Sequence, residues 1–375
     1  MLIAAAAETD PEETRVAATP ETVRKYVGLG AEVAIEHGAG AKAGFPDAEY
    51  RSAGARLVAA EEALGADVLL KIRRPSVNEI ARVRPGALVI AMMDPYDHRD
   101  AIEAMAKAGV GAFAMELLPR ITRAQAMDAL SSQANLAGYR AVIDAAAEYG
   151  RALPMMMTPA GTIPAAKLFV MGVGVAGLQA IATGRRLGAV VTATDVRPAT
   201  KEQVESLGAK FVAVEDEEFR QAETAGGYAK EMSDAYKGKQ ADLIASHIAK
   251  QDIVVTTALI PGRPAPRLIS ADMVKSMRAG SVIVDLAVER GGNCALSRPS
   301  ELALSDNGVK IVGYSKVTRI PASASSLYAR NLYAFVETLI DKESKSLAVN
   351  WDDELVKATA LTRAGAIVHP NFVPQ

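Results

Sequence analysis

The stretch Lys167-Leu-Phe-Val-Met-Gly172-Val-Gly174-Val-Ala-Gly177 decides how this chain folds. An apolar run meets three glycines spaced G-x-G-x-x-G, and a helical pattern opens behind them. Each glycine has its own task. Gly172 permits a tight turn, Gly174 lets backbone approach a pyrophosphate, and Gly177 lets the helix pack close on the strand, with the helix N-terminus facing the phosphates. A second apolar run, Ala189–Thr194, ends at Asp195, 23 residues after Gly172. A carboxylate there accepts hydrogen bonds from both adenosine-ribose hydroxyls and meets a 2′-phosphate with like charge, which predicts NAD(H) rather than NADP(H). Arg197 follows closely, and an Arg at this point can bind a 2′-phosphate, so NADP(H) stands as the alternative. The glycine pattern alone is weak; strand, turn, helix, second strand and acid in register make it specific. The plain alternative is a Gly-rich turn in an ordinary α/β fold. The expected cofactor-binding set is Gly172, Val173, Gly174, Val175, Ala176, Gly177, Asp195, Val196 and Arg197.

Outward from this motif, apolar runs at Lys167–Met171, Ala189–Thr194, Lys210–Val214, Asp252–Thr256, Ser281–Leu286 and Lys310–Gly313 read as six parallel strands joined by crossover helices. That pattern predicts a doubly wound sheet. The first third reads similarly, with short runs at Leu2–Ala6, Glu32–Ile35, Arg56–Val58, Asp67–Ile72, Ala87–Met93 and Val110–Met115. Thr19-Pro20-Glu21 marks a helix start by its cap, its proline and its acid. From Thr122 to Gly150 the pattern is helical for 29 residues, which predicts a bent or broken helix passing between domains. Ala322–Ile340 and the run Ala366–Val368 are too short for a domain and are expected to return to the first. The fold expected is α/β, with two Rossmann-like parallel-sheet domains and a nucleotide cleft between them. Residues 1–130 plus 325–375 form one domain, and 131–324 form the NAD(H)-binding one.

Composition narrows the classes. The chain has 375 residues, 50% hydrophobic but only 5% aromatic, so the cores must be built from Ala, Val, Leu, Ile and Met. Lys+Arg 42 against Asp+Glu 44 gives a net charge of −2, which argues against a nucleic-acid partner. Cys294 is the only cysteine, and the four histidines lie far apart, so no metal site is expected. Leu168–Gly184 is uncharged but Gly-rich and 17 residues long, against the ~20 apolar residues of a membrane span. With no basic leader at the N-terminus, the protein reads as cytoplasmic.

Three further signals accompany the glycine motif. Gln125, Asp128 and Ser132 fall at i, i+3 and i+7 on one helix face, with Ser131 beside it and Arg120 just before. Such groups can converge on a carboxamide, although Thr122-x-x-Gln125 also reads as a capping box. Asp285-Leu-Ala-Val-Glu289-Arg-Gly-Gly-Asn293 and Thr257-Ala258-Leu259 follow the fifth and fourth strands, whose ends line the cofactor crevice of such sheets. Plain βα loops are the alternative there. Between Val214 and Asp252 lie 37 residues, polar and charged, in which Gly226-Gly227 precedes Tyr228, a pattern that reads as a hinge carrying a contact residue.

Together these residues resemble a known family. Arg120-Ile-Thr-Arg-Ala-Gln125, Asn135-Leu-Ala-Gly-Tyr-Arg140, Gly172–Gly177, Ala193-Thr-Asp195-Val-Arg197, Glu223-Thr-Ala-Gly-Gly-Tyr228, Thr256-Thr-Ala-Leu259 and Gly291-Gly-Asn-Cys294 are similar to the NAD(H)-binding component of proton-translocating nicotinamide nucleotide transhydrogenase. The similarity runs from about Arg15 to His369, and alanine dehydrogenase is more distantly similar. The resemblance implies direct hydride exchange between NAD(H) here and NADP(H) on a partner component, coupled to proton flow by a membrane component. It also implies a homodimer held to the cytoplasmic membrane through its partners. Arg120, Gln125, Asp128 and Ser131 would surround the nicotinamide as the catalytic set, and Tyr228 would ride a loop closing over the nucleotide. Ala258, Leu259 and Glu289 complete the expected cofactor contacts.

Two stretches depart from the family pattern. Ala6-Ala7-Glu8-Thr9-Asp10 lacks the usual Lys, and Ile90–Tyr96 lacks a His. Deamination of an amino acid needs a positioned acid/base. Alanine dehydrogenase carries a His for it, where Met92, Met93 or Asp94 stands here. Hydride exchange between two nicotinamides needs only orientation and exclusion of water. An amino-acid dehydrogenase and a non-catalytic NAD(H) sensor are the competing readings.

Overall fold

The structure is a computed structural model, and it describes residues 1–220, 232–260 and 262–373. The chain forms two compact units, one from residues 1–133 with 318–375 and one from residues 134–317.

In the first unit, β1 (Leu2–Ala5), β2 (Glu32–Glu36), β3 (Arg56–Val58), β4 (Val68–Arg73), β5 (Leu88–Met92) and β6 (Gly111–Ala114) run parallel in the order β6-β5-β4-β1-β2-β3. Ala360–Arg363 adds an antiparallel strand beside β6, and Ala366–Ile367 lies outside it. Side chains alternate across a sheet with period two. Ile3, Val33, Leu70, Ile90 and Phe113 therefore share one core, while Ala4, Ala34, Leu69, Val89 and Ala112 share the other. The C-terminal helix Pro321–Glu337 buries Tyr328, Leu332, Phe335 and Val336 in the first of these cores. Thr19 caps the helix Pro20–Gly28 through a capping box with Thr22, as its Thr-Pro start predicts.

The second unit opens with an exposed hairpin, β7 (Met156–Thr158) and β8 (Gly161–Ile163), which the strand pattern of the sequence does not announce. Its sheet comprises β9 (Lys167–Met171), β10 (Val190–Thr194), β11 (Lys210–Phe211), β12 (Ile253–Thr256), β13 (Val282–Asp285), β14 (Leu302–Leu304) and β15 (Lys310–Val312), ordered β11-β10-β9-β12-β13-β15-β14. Six strands are parallel as expected, and the unforeseen β14 is antiparallel at the edge. Leu168, Val170, Val191, Val255 and Val284 face one core, and Phe169, Met171, Val254 and Ile283 the other. Both units thus carry the Rossmann-like strand order, 3-2-1-4-5-6 by sequence, that the sequence implied.

The helical pattern from Thr122 breaks. Thr122–Met127 is 3-10 helix, Asp128 leaves helical geometry at φ −69°, ψ 85°, and an α-helix runs over Ala129–Tyr149. Gln125, Asp128 and Ser132 therefore do not share one continuous helix face, which corrects the i, i+3, i+7 reading. Ile121, not Thr122, stands at the first cap, and no side chain caps it. Gly226, Gly227 and Tyr228 lie outside the described residues.

Candidate functional site

The glycine turn at the end of β9 has three physical reasons for its three glycines. Gly172 sits at φ +100°, where side chains are strained, and a Cβ there would come 2.6 Å from Thr257 Oγ1. Thr257 Oγ1 donates to the Gly172 carbonyl at 3.0 Å, tying the turn to the end of β12. A Cβ on Gly177 would lie 1.9 Å from the Gly172 carbonyl oxygen, so only glycine lets this helix sit against this turn. Gly174 is different: its backbone is ordinary, and a Cβ there would meet nothing within 4 Å. It is the exposed N-cap of the helix Val175–Arg186, with no side chain capping it. The first-turn N–H groups are thus presented outward, the geometry that suits a phosphate.

Asp195 follows β10 and faces this turn with its side chain 7% exposed. Oδ2 accepts from Val173 N at 2.7 Å and from Arg197 Nη2 at 3.0 Å. Oδ1 accepts from Arg197 N and Arg197 Nε, both at 2.9 Å. The carboxylate expected to await a ribose is therefore already engaged by Arg197, a pairing that sequence spacing does not reveal. The Val173 N–H, likewise, is committed to Asp195 rather than to a ligand.

Beside this pair lies a cavity of about 550 Å³, lined among others by Gly172, Asp195, Val196, Ala258, Gln240 and Arg267. Gln240 and Arg267 escape the sequence reading, as does Tyr236, which also lines it. Gln240 donates to Thr194 Oγ1 at 3.3 Å and accepts from Val214 N at 2.9 Å, bracing the ends of two strands. A signal for it exists: Tyr236, Gln240 and Ile244 recur at i, i+4 and i+8 along the helix Asp234–Ile248. Ala258 is held by the fully buried Asn293, which accepts from Ala258 N at 3.0 Å and donates to its carbonyl at 2.9 Å. Buried Asp285 orders the same loop by accepting from Thr256, Ala287, Cys294 and Ser297. Leu259 is 53% exposed and does not line the cavity. Glu289 pairs with Lys316 at 2.9 Å and does not line it either. Among the described residues no cluster of His, Cys, Asp or Glu is placed to hold a metal ion.

In the first unit, Arg120 and Gln125 are exposed. Asp128 does not pair with Arg120; it caps the helix Ala129–Tyr149, accepting from Ser131 N at 2.8 Å and Ser131 Oγ at 2.5 Å. The strand ends of this unit hold a buried ionic cluster that the apolar look of the strands conceals. Lys71, 1% exposed, donates to Glu79 at 2.6 Å and to the Ala7 carbonyl at 3.1 Å, with Glu8 at 3.8 Å. Glu8 accepts from Ile72 N at 2.7 Å. Burial lifts its carboxyl to about 7, against the opposing pull of Lys71. Arg15 grips Glu13 through Nε and Nη2 at 2.8 and 2.7 Å and reaches Gln133 at 2.9 Å. Burial pushes the Glu13 carboxyl up, but Arg15 outweighs it and holds the carboxyl below its ordinary value.

A Rossmann-like sheet with a glycine cradle at its first strand and an acid at its second defines a nucleotide-binding protein. The family models described as alanine dehydrogenase/PNT, N-terminal and C-terminal domains, match residues 4–137 and 141–370. In Rhodospirillum rubrum, the first of the chains that make up NAD(P) transhydrogenase subunit alpha is 54% identical, with 100% of both chains covered. A crystal structure of transhydrogenase from Sinorhizobium meliloti is 61% identical at TM-score 0.90, covering 98% of this chain and 100% of that one. An L-alanine dehydrogenase structure is 26% identical at TM-score 0.82, covering 99% and 98%. The chain belongs to the alanine dehydrogenase/PNT family and, within it, to the NAD(P) transhydrogenase alpha subunits.

Proposed function

We propose that this chain is the NAD(H)-binding subunit of a proton-translocating transhydrogenase, exchanging hydride with NADP(H) held by a partner component. The observation that carries the NAD(H) assignment is the outward-facing Gly174 cap opposite Asp195 at the end of β10. The donor set fits the group: helix N–H groups suit a pyrophosphate, and a carboxylate suits a ribose diol. NAD(H), when bound, supplies or accepts the hydride at its nicotinamide ring. The residues of the chain bind and orient. Gly174 to Gly177 hold the pyrophosphate end, Asp195 the adenosine ribose, and Arg120 and Gln125 the carboxamide. Asp128 with Ser131 fixes the start of the helix behind them. A second component carrying NADP(H), a membrane component moving protons, a homodimer and a place at the cytoplasmic face of the membrane complete the reading. No helix among the described residues is long and apolar enough to cross a membrane, so in this proposal proton passage belongs to the partner.

The amino-acid dehydrogenase reading needs a group that moves protons at nitrogen and oxygen. The end of β5 offers the buried Met93, and Asp94 and His98 face each other at 3.6 Å. The deciding experiment reconstitutes the chain with an NADP-binding component and follows reduction of an NAD analogue by NADPH under transient conditions. Hydride transfer without reactivity toward L-alanine is expected. Alanine-dependent NAD reduction by the chain alone overturns the proposal. Gln125→Asn should slow transfer by up to ~100-fold with little change in NADH affinity, since small misplacement of reacting rings is costly.

A further inference from the structure

Asp195 makes four hydrogen bonds, and they divide into two kinds. Two come from main chain, Val173 N on Oδ2 and Arg197 N on Oδ1. Two come from the Arg197 guanidinium, Nη2 on Oδ2 and Nε on Oδ1. A carboxylate has about four lone-pair positions. The main-chain donors orient it, and the guanidinium fills the remaining position on each oxygen. Those two positions are the ones a vicinal diol would use, one hydroxyl to each oxygen. Arg197 Nη2 also donates to the Val173 carbonyl at 3.2 Å, so the fork spans the acid and the glycine turn together. Its side chain is 34% exposed while that of Asp195 is 7% exposed, so the guanidinium can swing out and the carboxylate cannot.

We infer that Arg197 is a specificity-determining residue that competes with the ribose diol for Asp195 and must leave it before a 2′-hydroxyl dinucleotide is fully bound. This rests on the dinucleotide reading of the site proposed above. Two consequences follow from charge. With Arg197 seated, Asp195 is neutralised, and an incoming 2′-phosphate meets a guanidinium beside the carboxylate instead of a bare anion. With Arg197 swung out, the diol gains two charge-assisted bonds while the main-chain donors keep the carboxylate aimed. The residue therefore lowers affinity for the diol and lowers discrimination against the phosphate at the same time. Asp195 alone would make a more exclusive site than Asp195 with Arg197.

The test is calorimetric titration of the whole chain with NADH and with NADPH, for wild type, Arg197→Gln, Arg197→Lys, Asp195→Asn and the double variant Asp195→Asn/Arg197→Gln. Arg197→Gln should tighten NADH ~3- to 10-fold and weaken NADPH ~10-fold, the range expected when a charged hydrogen-bond competitor is removed from one ligand and a charged partner from the other. Arg197→Lys, a point charge without the fork, should fall between wild type and Arg197→Gln. In the Asp195→Asn background, replacing Arg197 should leave NADH affinity within about twofold, because the competition then has no object. A purely structural role for Arg197 would weaken both nucleotides in both backgrounds, and that result overturns the inference. So does an unchanged NADH affinity in Arg197→Gln while wild type binds NADH. If wild type binds neither nucleotide, the dinucleotide reading falls and takes the inference with it. Thermal melts of each variant establish that it is folded, and Arg197→Lys carries the test if Arg197→Gln is not.

Discussion

The two sheets share a strand order but treat the end of their first strand in opposite ways. After β9 stand Gly172 and Gly174, and nothing fills the space beside Gly174. After β1 stand Ala6, Ala7 and Glu8, and the Glu8 carboxylate reaches back to take the Ile72 N–H. Lys71, Glu79, Glu13 and Arg15 close in around that point, each with a partner. The same topology thus offers an open cradle in one unit and a packed ionic plug in the other. Fold supplies the strand ends, and the residues placed there decide whether a ligand has room. One unit satisfies its polar groups internally, and the other leaves main-chain donors exposed.

Four substitutions probe this contrast. Lys71→Met strikes the plug hardest. It leaves Glu79 and Glu8 buried without their cation, and removing one partner of a buried pair costs ~3–5 kcal/mol. Urea denaturation should show that loss, and a change under ~1 kcal/mol would mean the cluster is wetter and weaker than its burial implies. Gly177→Ala strikes the cradle. Its Cβ would press on the Gly172 carbonyl oxygen at 1.9 Å, a backbone clash expected to cost ~3 kcal/mol and to abolish NADH binding. Retained affinity would show that the helix can shift without harm to the turn.

The third probe is pH. The Glu8 carboxyl is held at about 7 in the folded state against 4.5 ordinarily. Between those values the folded chain keeps a proton that the unfolded chain has released, so stability falls as pH rises through this window. The loss is ~2 kcal/mol, and it is complete above the folded value. Glu8→Gln should flatten that stretch of the stability–pH curve, whereas an unchanged slope would place the titrating group elsewhere. The smallest effect belongs to Gly174→Val. With extended backbone and open space around it, the substitution should cost about 1 kcal/mol or less, yet weaken NADH more than about tenfold by blocking the helix N-terminus. If stability and affinity fell together there, Gly174 would be structural like Gly177.

Most of the fold is legible because its signals are local. Leu168, Phe169 and Val170 are apolar without alternation, as strands buried on both faces must be, and the turn residues behind them confirm the reading. What escapes depends on partners distant in sequence or on detail finer than periodicity. β14 is exposed and pairs only at the edge, so its Leu302-Ala-Leu304 pattern carries no buried signature. Ala360–Arg363 becomes a strand because β6 is there to pair with, and it follows a helix that the tail's composition does not announce. Asp128 looks like one more residue on a helix face; its side chain instead captures the Ser131 N–H and ends one helix to start another. At the site, the glycines and Asp195 are plain from spacing. The Arg197 fork is not, since spacing shows which residues are near and not which donors an oxygen has already taken. Lys71 looks like an interruption in an apolar strand, yet its head group is paired inside.

The helix Pro321–Glu337 and the strand Ala360–Arg363 complete a unit whose first strand is Leu2–Ala5. On the ribosome this reverses the natural order. Residues 134–317 have everything they need for their own core once they emerge, while residues 1–133 must wait for 318–375. Through that interval the face that will receive Tyr328, Leu332 and Phe335 has no cover, and exposed apolar surface on a partly folded chain invites aggregation. The central unit matures first, and the N-terminal one is finished only after the segment that follows it has been made. Nascent-chain arrest before Pro321 should therefore yield a protease-resistant middle flanked by a susceptible N-terminal third.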